Sequence, residues 1–413
     1  MDVRAAYRRK SPTSIMWKTV AGDCNLACDY CYYSTCGGKP QSEIRRIEDK
    51  LLERVIRQMM HECEGSVSFA WQGGEPLLAG LSFFQRVVQL QALYALPNTT
   101  ISNAVQTNGT LIDEHWAAFF RRYSVLVGVS LDGPEEIHDK RRRTGSGRGS
   151  YRRVMAGVST LKQAEVDFNI LTVIHEDNVG QAAMLMDWLE ENEFRHVQFI
   201  PCMNFSAQDV DAKGQYRISP QQYGQFLCEA FDRWYNDGRP GLSVRMFVNW
   251  LQKLIGSEPE LCIHQQECPS VLVLEQNGDA YPCDFFIHER FRLGNANEDT
   301  LVQLLEEQRW SMFRSLQLRM SSPCMTCRYL HYCGGGCPRN RTDFLDVNDR
   351  GVQGRDQVDY FCESYRMLYA YGEERMRKLA YEWMFQQGIA LPGRNERCIC
   401  GSGRKAKKCC STR

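Results

Sequence analysis

Three cysteines within eight residues constrain this chain more than any other feature of its sequence. They stand as Cys24-x3-Cys28-x2-Cys31, shortly after a β-type run over residues 14–20. Three thiolates on one loop can hold three corners of a four-iron cluster, because thiolate sulfur is the preferred ligand of iron–sulfur centres. The fourth iron then keeps an open position, which a cluster needs if it is to bind and cleave a small molecule. The alternative is a zinc knuckle, which requires a fourth ligand, and Cys36 is the one candidate nearby.

Composition narrows the broad class of protein. With 413 residues the chain is long enough for two or more domains, and its 50 basic and 50 acidic residues balance. This balance gives no global field that would attract nucleic acid, so we do not expect a nucleic-acid partner. The N-terminal residues lack the apolar core of a signal peptide, and no run approaches the ~20 apolar residues of a membrane span. We therefore expect a soluble cytoplasmic protein with no membrane partner.

The 19 cysteines of the chain indicate metal binding or redox chemistry. In a reducing compartment they do not suit a disulfide scaffold. Most of them fall into four groups, at residues 24–31, 262–283, 324–362 and 398–410. Four others we interpret as ordinary buried thiols: Cys36, Cys63, Cys202 and Cys228.

Strand and helix patterns alternate from residue 14 to about residue 200. The β-type runs lie at 14–20, 66–70, 101–106, 125–131, 168–174 and 196–200, and helical periodicity at 43–62, 82–94, 113–123, 151–164 and 179–192. Six such units predict an α/β fold with a parallel sheet covered by helices. They fit an open doubly wound sheet or a partial (β/α)6 TIM-like barrel. In both folds the chemistry gathers at the carboxyl ends of the strands.

Polar residues and glycines follow the predicted strands at those ends. Strands two, three and four run into Gln72-Gly73-Gly74-Glu75-Pro76, Gln106-Thr107-Asn108-Gly109 and Ser130-Leu131-Asp132-Gly133-Pro134. Each motif alone is typical of a turn, but on successive strand ends together they predict one pocket. Residues 140–153 are dense in Lys, Arg and Gly, which predicts a solvated loop. At least one of its arginines could reach the pocket and clamp a carboxylate.

A second cysteine-rich region follows a predicted connector over residues 203–260. Its cysteines are Cys262, Cys268 and Cys283, then Cys324, Cys327, Cys333 and Cys337, and finally Cys362. Asn277-Gly278 between apolar runs predicts a hairpin, which is a common way to present a ligand. A C-x2-C pair with two further cysteines nearby indicates a metal site, and eight thiols suit two sites of four ligands each. A long helix is predicted from residue 363 to about Gln387.

The tail carries four more thiols within thirteen residues: Cys398, Cys400, Cys409 and Cys410. So short a segment cannot build a hydrophobic core, and we therefore expect bound zinc to order it. The Lys and Arg residues around these thiols either compensate the charge of a zinc site or bind an acidic partner or nucleic acid. We favour charge compensation.

These motifs resemble a known family. Cys24-x3-Cys28-x2-Cys31 with Tyr30, Gly73-Gly74-Glu75-Pro76 and the later cysteines resemble a radical S-adenosylmethionine (SAM) protein with a SPASM auxiliary-cluster domain. Residues 14–372 look like an anaerobic sulfatase-maturating enzyme, with local matches at 70–80, 106–113, 127–134, 281–285 and 292–295. The tail resembles the SEC-C zinc motif. The implied domains are a radical SAM partial barrel (1–235), a SPASM domain (236–372), a helical linker (373–390) and a SEC-C-like motif (391–413).

The resemblance implies a role for each matching residue. Cys24, Cys28 and Cys31 would ligate the SAM-cleaving [4Fe–4S] cluster. The SAM contacts would be Gly73, Gly74 and Glu75 at the methionine amino group, Ser130 and Asp132 near the ribose, and Arg142 near the carboxylate. Two auxiliary [4Fe–4S] clusters would be held by Cys262, Cys268, Cys283 and Cys337, and by Cys324, Cys327, Cys333 and Cys362. The tail zinc would be held by Cys398, Cys400, Cys409 and Cys410.

The implied reaction is oxidation of a Cys or Ser side chain, in an unfolded Cys/Ser-x-Pro-x-Arg segment of a sulfatase, to Cα-formylglycine. A 5′-deoxyadenosyl radical would abstract a β-hydrogen, Asp284 would take the thiol or hydroxyl proton, and an auxiliary cluster would accept the second electron. A flavodoxin or ferredoxin is the implied electron donor. Two alternatives stay open: another SPASM enzyme acting on a peptide, for instance one forming a thioether crosslink, and a non-catalytic metal-binding adaptor.

Overall fold

One mixed β-sheet organises the described part of the chain. The computed structural model describes residues 14–63, 65–202, 218–265, 267–318, 320–341, 358–389, 391–398 and 403–409. Residues 203–217 of the predicted connector lie outside these ranges. The strands are β1 (Ser14–Lys18), β2 (Ser66–Gln72), β3 (Thr100–Thr107), β4 (Leu126–Ser130), β5 (Phe168–Ile174), β6 (His196–Pro201), β7 (Ser243–Val244), β8 (Val271–Leu274), β9 (Asp279–Tyr281) and β10 (Gly294–Asn295).

Helices follow most of the strands. They are α1 (Asp49–Glu62), α2 (Leu81–Tyr94), α3 (Glu114–Arg122), α4 (Glu135–Arg141), α5 (Tyr151–Gln163), α6 (Ala182–Glu191), α7 (Pro220–Tyr235), α8 (Arg245–Leu254), α9 (Leu301–Glu306), α10 (Gln308–Leu318), α11 (Ser322–Met325), α12 (Leu330–Cys333) and α13 (Cys362–Gln386). Within the described ranges, none of these helices is long and apolar enough to cross a membrane.

The six predicted βα units form a parallel sheet in sequence order. Strands β1 to β6 pair in parallel with their neighbours, and β7 extends the sheet beyond β6. The predicted helix over 43–62 begins at Asp49 instead. The preceding segment is tied to the sheet, because the Ile47 N–H donates to the Thr19 carbonyl at 3.3 Å. A hydrogen bond to another element has therefore displaced the helical start that the local pattern predicts.

The hairpin predicted around Asn277-Gly278 extends the other edge of the sheet. Strand β8 pairs in parallel with β1, and β9 and β10 follow it in antiparallel pairing. Without this hairpin β1 would present an unpaired edge, which proteins commonly cover. The pairing also carries the residues after β9 to the carboxyl end of β1. The C-terminal region therefore shares one sheet with the N-terminal strands.

Aromatic packing fixes the core and attaches α13 to it. Trp17 on β1 stacks on Trp71 on β2 with ring centroids 5.9 Å apart, and both are fully buried. Helix α13 lies along α7, where the Ser364 hydroxyl donates to the Pro220 carbonyl at 2.6 Å. Burial of each large apolar side chain stabilises the fold by roughly 1.5–3 kcal/mol. Helix α13 begins at Cys362, so this packing also positions the last cysteine of the C-terminal region.

Candidate active site at the carboxyl ends of the strands

The three-cysteine loop leaves β1 at the carboxyl edge of the sheet. Cys24 and Cys28 are buried and Cys31 is half-buried. Burial raises the pKa of the Cys28 thiol to about 12, an effect that the nearby Arg142 guanidinium opposes and the Cys31 thiol adds to. Burial and the neighbouring Cys28 likewise raise the pKa of Cys24. Three close thiols, two of them buried, need positive charge to become thiolates, and the iron of a cluster supplies it, so this donor set fits an iron–sulfur cluster.

Two glycines allow the end of β2 to contact the cysteine loop. The Gly74 N–H donates to the Ala21 carbonyl at 2.8 Å, and the Glu75 N–H donates to the Asp23 carbonyl at 2.7 Å. A Cβ at Gly74 would overlap the Asp23 carbonyl, and Gly73 adopts a φ of +130° that favours glycine. Only this Gly-Gly pair permits so close an approach of the two backbones.

Glu75 joins the ends of β2 and β3 beneath the cysteine loop. Its fully buried carboxylate accepts hydrogen bonds from Leu77 N (3.0 Å), Thr107 Oγ1 (2.8 Å) and Asn108 N (2.7 Å). Burial raises its pKa to about 7, although these three donors oppose that rise. Cys24 lies within electrostatic reach of this carboxylate. A carboxylate offers about four acceptor positions, so one is left for a ligand.

Of the three adjacent arginines in the basic loop, Arg142 alone is buried beside the cysteines. Arg141 forms an ion pair with Asp177 at 2.6 Å, and Arg143 is exposed. Arg142 Nη1 donates to the Tyr30 hydroxyl at 2.8 Å, whereas its buried Nε has no hydrogen-bond partner among the described residues. A carboxylate is the group that would satisfy a free guanidinium N–H here.

Ser130 and Asp132 lie at and just beyond the end of β4. Ser130 Oγ accepts a hydrogen bond from Gln106 Nε2 at 3.1 Å. The fully buried Asp132 carboxylate accepts from Val173 N at 3.1 Å and from the Tyr30 hydroxyl. Tyr30 thus links Asp132 to the buried Arg142. These three residues form a hydrogen-bonded polar network beside the cysteine loop.

His138 is hydrogen-bonded to the backbone of this polar network and to Ser150. Its Nδ1 accepts from the Asp132 N–H at 3.3 Å, and its Nε2 pairs with Ser150 Oγ at 2.9 Å. The same Ser150 hydroxyl donates to the Arg142 carbonyl at 2.7 Å. Burial and, to a smaller extent, the Arg142 charge together lower the pKa of His138 to about 4. A neutral imidazole therefore fixes the backbone at both Asp132 and Arg142.

Asp284 stands between the two cysteine regions. It directly follows Cys283 and reaches the carboxyl end of β1, where its carboxylate pairs with Lys18 and accepts a hydrogen bond from the Tyr32 hydroxyl. Tyr32 itself directly follows Cys31. The Lys18 side chain is only 1% exposed, so its charge is balanced within the protein. The predicted base therefore lies beside the three-cysteine loop although it belongs to the C-terminal region.

The sequence interpretation missed four residues around Asp284. Besides Lys18 and Tyr32, these are Tyr33, whose hydroxyl contacts the Glu275 carboxylate at 2.9 Å, and Glu275 itself. Lys18 Nζ lies 4.4 Å from the centroid of the Tyr33 ring. One signal was present: a lysine inside an apolar run of a parallel sheet is rare, because both faces of such strands are buried.

One group of four thiols comes from three segments of the C-terminal region: Cys262, Cys268, Cys283 and Cys337. Burial, together with neighbouring thiols of the group, raises the pKa of Cys268 and of Cys337 to about 12 each. Burial and then Cys337 raise the pKa of Cys283. Arg339 opposes the rise at Cys262 and Cys337. We call these four residues the first auxiliary group.

The second auxiliary group consists of Cys324, Cys327, Cys333 and Cys362. Burial, together with other thiols of this group, raises the pKa of Cys333 to about 12 and of Cys362 to about 11. In space, Cys337 lies with the first auxiliary group although it is only four residues from Cys333. The structure thus gathers the eight thiols as the resemblance implies, while their role as ligands stays a prediction.

Buried Asp359 connects the two auxiliary groups. Its carboxylate accepts from Cys337 N at 2.8 Å, Phe361 N at 2.7 Å and Asn340 Nδ2 at 3.0 Å. Burial raises its pKa, and these donors oppose the rise. Asp359 is three residues before Cys362, so one side chain sets the position of a cysteine from each group.

In the tail, Cys398 and Cys409 are buried against the main core. Cys400 and Cys410 lie outside the described residues. The Cys398 N–H donates to the Arg404 carbonyl at 2.7 Å, which closes a short loop. In the part of the chain that the structure describes, no three His, Cys, Asp or Glu side chains converge as around a single metal ion. Each thiolate of a four-iron cluster binds a different iron, so cluster ligands stand farther apart than those of one ion.

Known families and relatives match this chain along most of its length. The Radical SAM superfamily matches residues 19–189, the SPASM iron–sulfur cluster-binding domain residues 267–328 and the SEC-C motif residues 394–411. A cysteine-type anaerobic sulfatase-maturating enzyme of Clostridium perfringens is 34% identical over 89% of this chain and 98% of its own length. This chain belongs to the family of anaerobic sulfatase-maturating enzymes.

Other members of the family agree. A serine-type enzyme of Bacteroides thetaiotaomicron is 32% identical over 92% of this chain and 94% of its own. The solved structure of native anSMEcpe with bound AdoMet and Cp18Cys peptide has a TM-score of 0.80 and 33% identity, covering 90% of this chain and 99% of that one. The predicted radical SAM α/β fold with a following SPASM domain is therefore confirmed. Family membership also supports [4Fe–4S] clusters, SAM and a peptide partner.

Proposed function

We propose that this chain oxidises a Cys or Ser side chain of a sulfatase peptide to Cα-formylglycine. One observation carries the proposal within the family: the Asp284 carboxylate, held by Lys18 and Tyr32, stands beside the three-cysteine loop. A base in that place can take the thiol or hydroxyl proton of a residue whose β-hydrogen is removed at the loop.

The pocket at the strand ends would hold the cluster and SAM. Cys24, Cys28 and Cys31 would ligate the cluster, and bound cluster and SAM together supply the radical that removes the substrate hydrogen. The SAM contacts would be Gly73, Gly74, Glu75, Ser130, Asp132 and Arg142. The remaining acceptor position of Glu75 suits an ammonium group, and the unpartnered Nε of Arg142 suits a carboxylate.

The residues around Asp284 would orient it without touching the substrate. Lys18 balances the charge of the carboxylate, and the Tyr32 hydroxyl fixes one of its oxygens. The second oxygen is paired with the Lys18 ammonium. The proton would therefore move to a carboxylate whose position is fixed by two neighbours from the other end of the chain.

The C-terminal region would hold the remaining metals. The first auxiliary group and the second auxiliary group would each bind one [4Fe–4S] cluster through four thiolates, which leaves no open iron. Cys398, Cys400, Cys409 and Cys410 would bind zinc. We place the domain boundaries at residues 1–235, 236–372, 373–390 and 391–413, and the electron donor would be a flavodoxin or ferredoxin.

The test is a peptide assay under anaerobic conditions. The reconstituted chain is incubated with SAM, dithionite and a Cys-x-Pro-x-Arg peptide or its Ser counterpart, and the product is analysed by mass spectrometry. Formylglycine from the Cys peptide shows loss of sulfur and gain of a carbonyl. Loss of two hydrogens alone would indicate a crosslinking enzyme instead, and release of no 5′-deoxyadenosine would favour a non-catalytic adaptor.

Asp284→Asn tests the assignment of the base. The variant should still release 5′-deoxyadenosine, but formylglycine formation should fall by about 10²–10⁴-fold, the usual contribution of a positioned base. Asp279→Asn is the matched control, because Asp279 lies in the same hairpin and pairs with Arg292 at 2.7 Å. If Asp284→Asn matures the peptide at the native rate, Asp284 is not the base.

A further inference from the structure

The SEC-C segment packs against the helix that begins at Cys362. Its buried Cys409 belongs to the main core and lies within electrostatic reach of Arg377 on α13. Arg377 in turn pairs with Glu373, one turn earlier on the same helix, at 2.6 Å. Cys409 of the tail therefore lies close to Arg377 of α13.

Glu373 also connects this helix to the second auxiliary group. Its carboxylate pairs with Arg328 at 2.8 Å and accepts a hydrogen bond from the Tyr332 hydroxyl at 3.1 Å. Arg328 directly follows one cysteine of that group, and Tyr332 directly precedes another. Arg377 and Glu373 therefore link Cys409 of the tail to the residues that flank the second auxiliary group.

The tail presents a strongly basic surface at this place. Its exposed basic residues are Arg394, Arg397, Arg404, Lys405, Lys407 and Lys408. The only acidic residue in its described ranges is Glu396, which accepts a hydrogen bond from Gly393 N at 2.7 Å. The whole chain carries a formal net charge of +0, so the excess is local. Such a patch attracts an acidic partner over a range of about 8 Å at physiological salt.

An exposed apolar residue lies beside the same auxiliary group. Met325 directly follows Cys324 and is 68% exposed, and the neighbouring Arg328 side chain is 62% exposed. Methionine adapts to different partners, and charged residues at the rim of an interface mainly speed encounter. This combination suits a short-lived protein complex, whereas nucleic acid would need no apolar contact.

We propose that the basic tail, together with Met325 and Arg328, forms the docking surface for an acidic one-electron carrier protein. The inference rests on the proposed function, because that function requires electrons to reach the clusters of this chain. Cys324, Cys327, Cys333 and Cys362 of the second auxiliary group would hold the cluster, and that cluster would take up one electron from a reduced flavin carrier in each encounter. The anionic flavin hydroquinone would become the neutral semiquinone by losing that electron alone, so no proton is released.

The test uses the anaerobically reconstituted full chain and a bacterial flavodoxin as the acidic probe. The tail variant combines Arg404→Glu, Lys405→Glu, Lys407→Glu and Lys408→Glu. Flavodoxin binding, measured by titration calorimetry at low and at physiological salt, should weaken by about 10-fold or more in this variant. The KM for flavodoxin hydroquinone in formylglycine formation should rise to the same extent, while dithionite-driven turnover stays at the wild-type rate.

A matched control changes the same number of charges on α3 and α5: Arg121→Glu, Arg122→Glu, Arg152→Glu and Arg153→Glu. These four residues are exposed, and their replacement should leave flavodoxin binding unchanged. A second variant, Met325→Glu, leaves the tail intact and should also weaken binding. Equal iron and zinc content in all variants shows that each retains its clusters and its ordered tail.

Three results would overturn the docking surface. One is flavodoxin binding that is the same in the tail variant and the control variant. Another is unaltered binding in Met325→Glu. The last is loss of binding to a single-stranded oligonucleotide in the tail variant with flavodoxin binding intact. Absence of formylglycine with dithionite in the wild-type chain would instead contradict the proposed function, and the binding comparison would still decide the docking surface.

Discussion

The three-cysteine loop and the two auxiliary groups differ in how far apart in sequence their thiols lie. The loop takes its thiols from eight consecutive residues at the end of β1, whereas the auxiliary groups draw theirs from segments spread over residues 262–362. The loop geometry depends on one turn of backbone and on Gly73 and Gly74. The auxiliary groups depend on the hairpin after β8 and on the packing of α13. Closing long loops costs more chain entropy, so the second region needs more tertiary support.

The largest effects should come from removing one thiol of each region. Cys28→Ala should reduce the iron content from about twelve to about eight atoms per chain and abolish SAM cleavage. Cys327→Ala should lose about as much iron but still release 5′-deoxyadenosine, with formylglycine formation stopped. Iron assays and chromatography of the SAM products check both. Equal loss of SAM cleavage in the two variants would show that SAM cleavage depends on both regions and not on the three-cysteine loop alone.

Lys18→Met tests the contact that joins the two regions. Formylglycine formation should fall by about 10²-fold, because a base displaced by about 1 Å loses that much rate, while release of 5′-deoxyadenosine continues. The ratio of formylglycine to 5′-deoxyadenosine, measured by mass spectrometry, shows whether SAM cleavage is uncoupled from oxidation of the peptide. Lys140→Met is the control, because Lys140 forms an exposed ion pair with Asp177 at 3.3 Å. Unchanged coupling in Lys18→Met would mean that Lys18 does not orient Asp284.

Stability against pH tests the support behind the three-cysteine loop. Burial lowers the pKa of His138 to about 4 from an ordinary value near 6.5, so the unfolded chain takes up this proton first. Above pH 6.5 the neutral His138 imidazole costs the folded state no stability. As pH falls from 6.5 towards 4, protonation in the unfolded chain lowers the free energy of unfolding by up to about 3 kcal/mol. Urea denaturation between pH 7 and 4 should show a shallower loss in His138→Asn than in the wild type. If the free energy of unfolding falls equally with pH in both proteins, His138 is not held neutral in the folded chain.

The smallest effect should come from replacing Asp359, the residue that connects the two auxiliary groups. Asp359→Ala leaves the Cys337 and Phe361 N–H groups without their acceptor and should destabilise the chain by about 1–3 kcal/mol. Iron should be lost from the auxiliary groups while SAM cleavage persists. Asp359→Asn, which keeps one acceptor oxygen, should be milder. Loss of SAM cleavage before auxiliary iron would contradict the separate support of the two regions.

Local patterns predicted the central sheet well. The alternating runs place β1 to β6, and Asn277-Gly278 places the hairpin, because apolar spacing and turn chemistry are properties of neighbouring residues. The residue pattern left open which of three adjacent arginines would be buried, and only the family resemblance implied Arg142. That choice depends on the cysteine loop, where the Ala27 N–H donates to the Arg143 carbonyl at 2.6 Å. Docking of the hairpin on β1 was likewise beyond any local pattern.

By itself the sequence determined the three-cysteine spacing, the order of the βα units and the number of later thiols. These features follow from residues within one turn, strand or helix of each other. Tertiary structure alone decided that Lys18 and Tyr32 meet Asp284, and that the tail lies on α13 near the second auxiliary group. Tyr32 and Asp284 are 252 residues apart, and no local preference of either residue specifies such a contact. It exists because β8 pairs with β1 and carries the hairpin to the end of that strand.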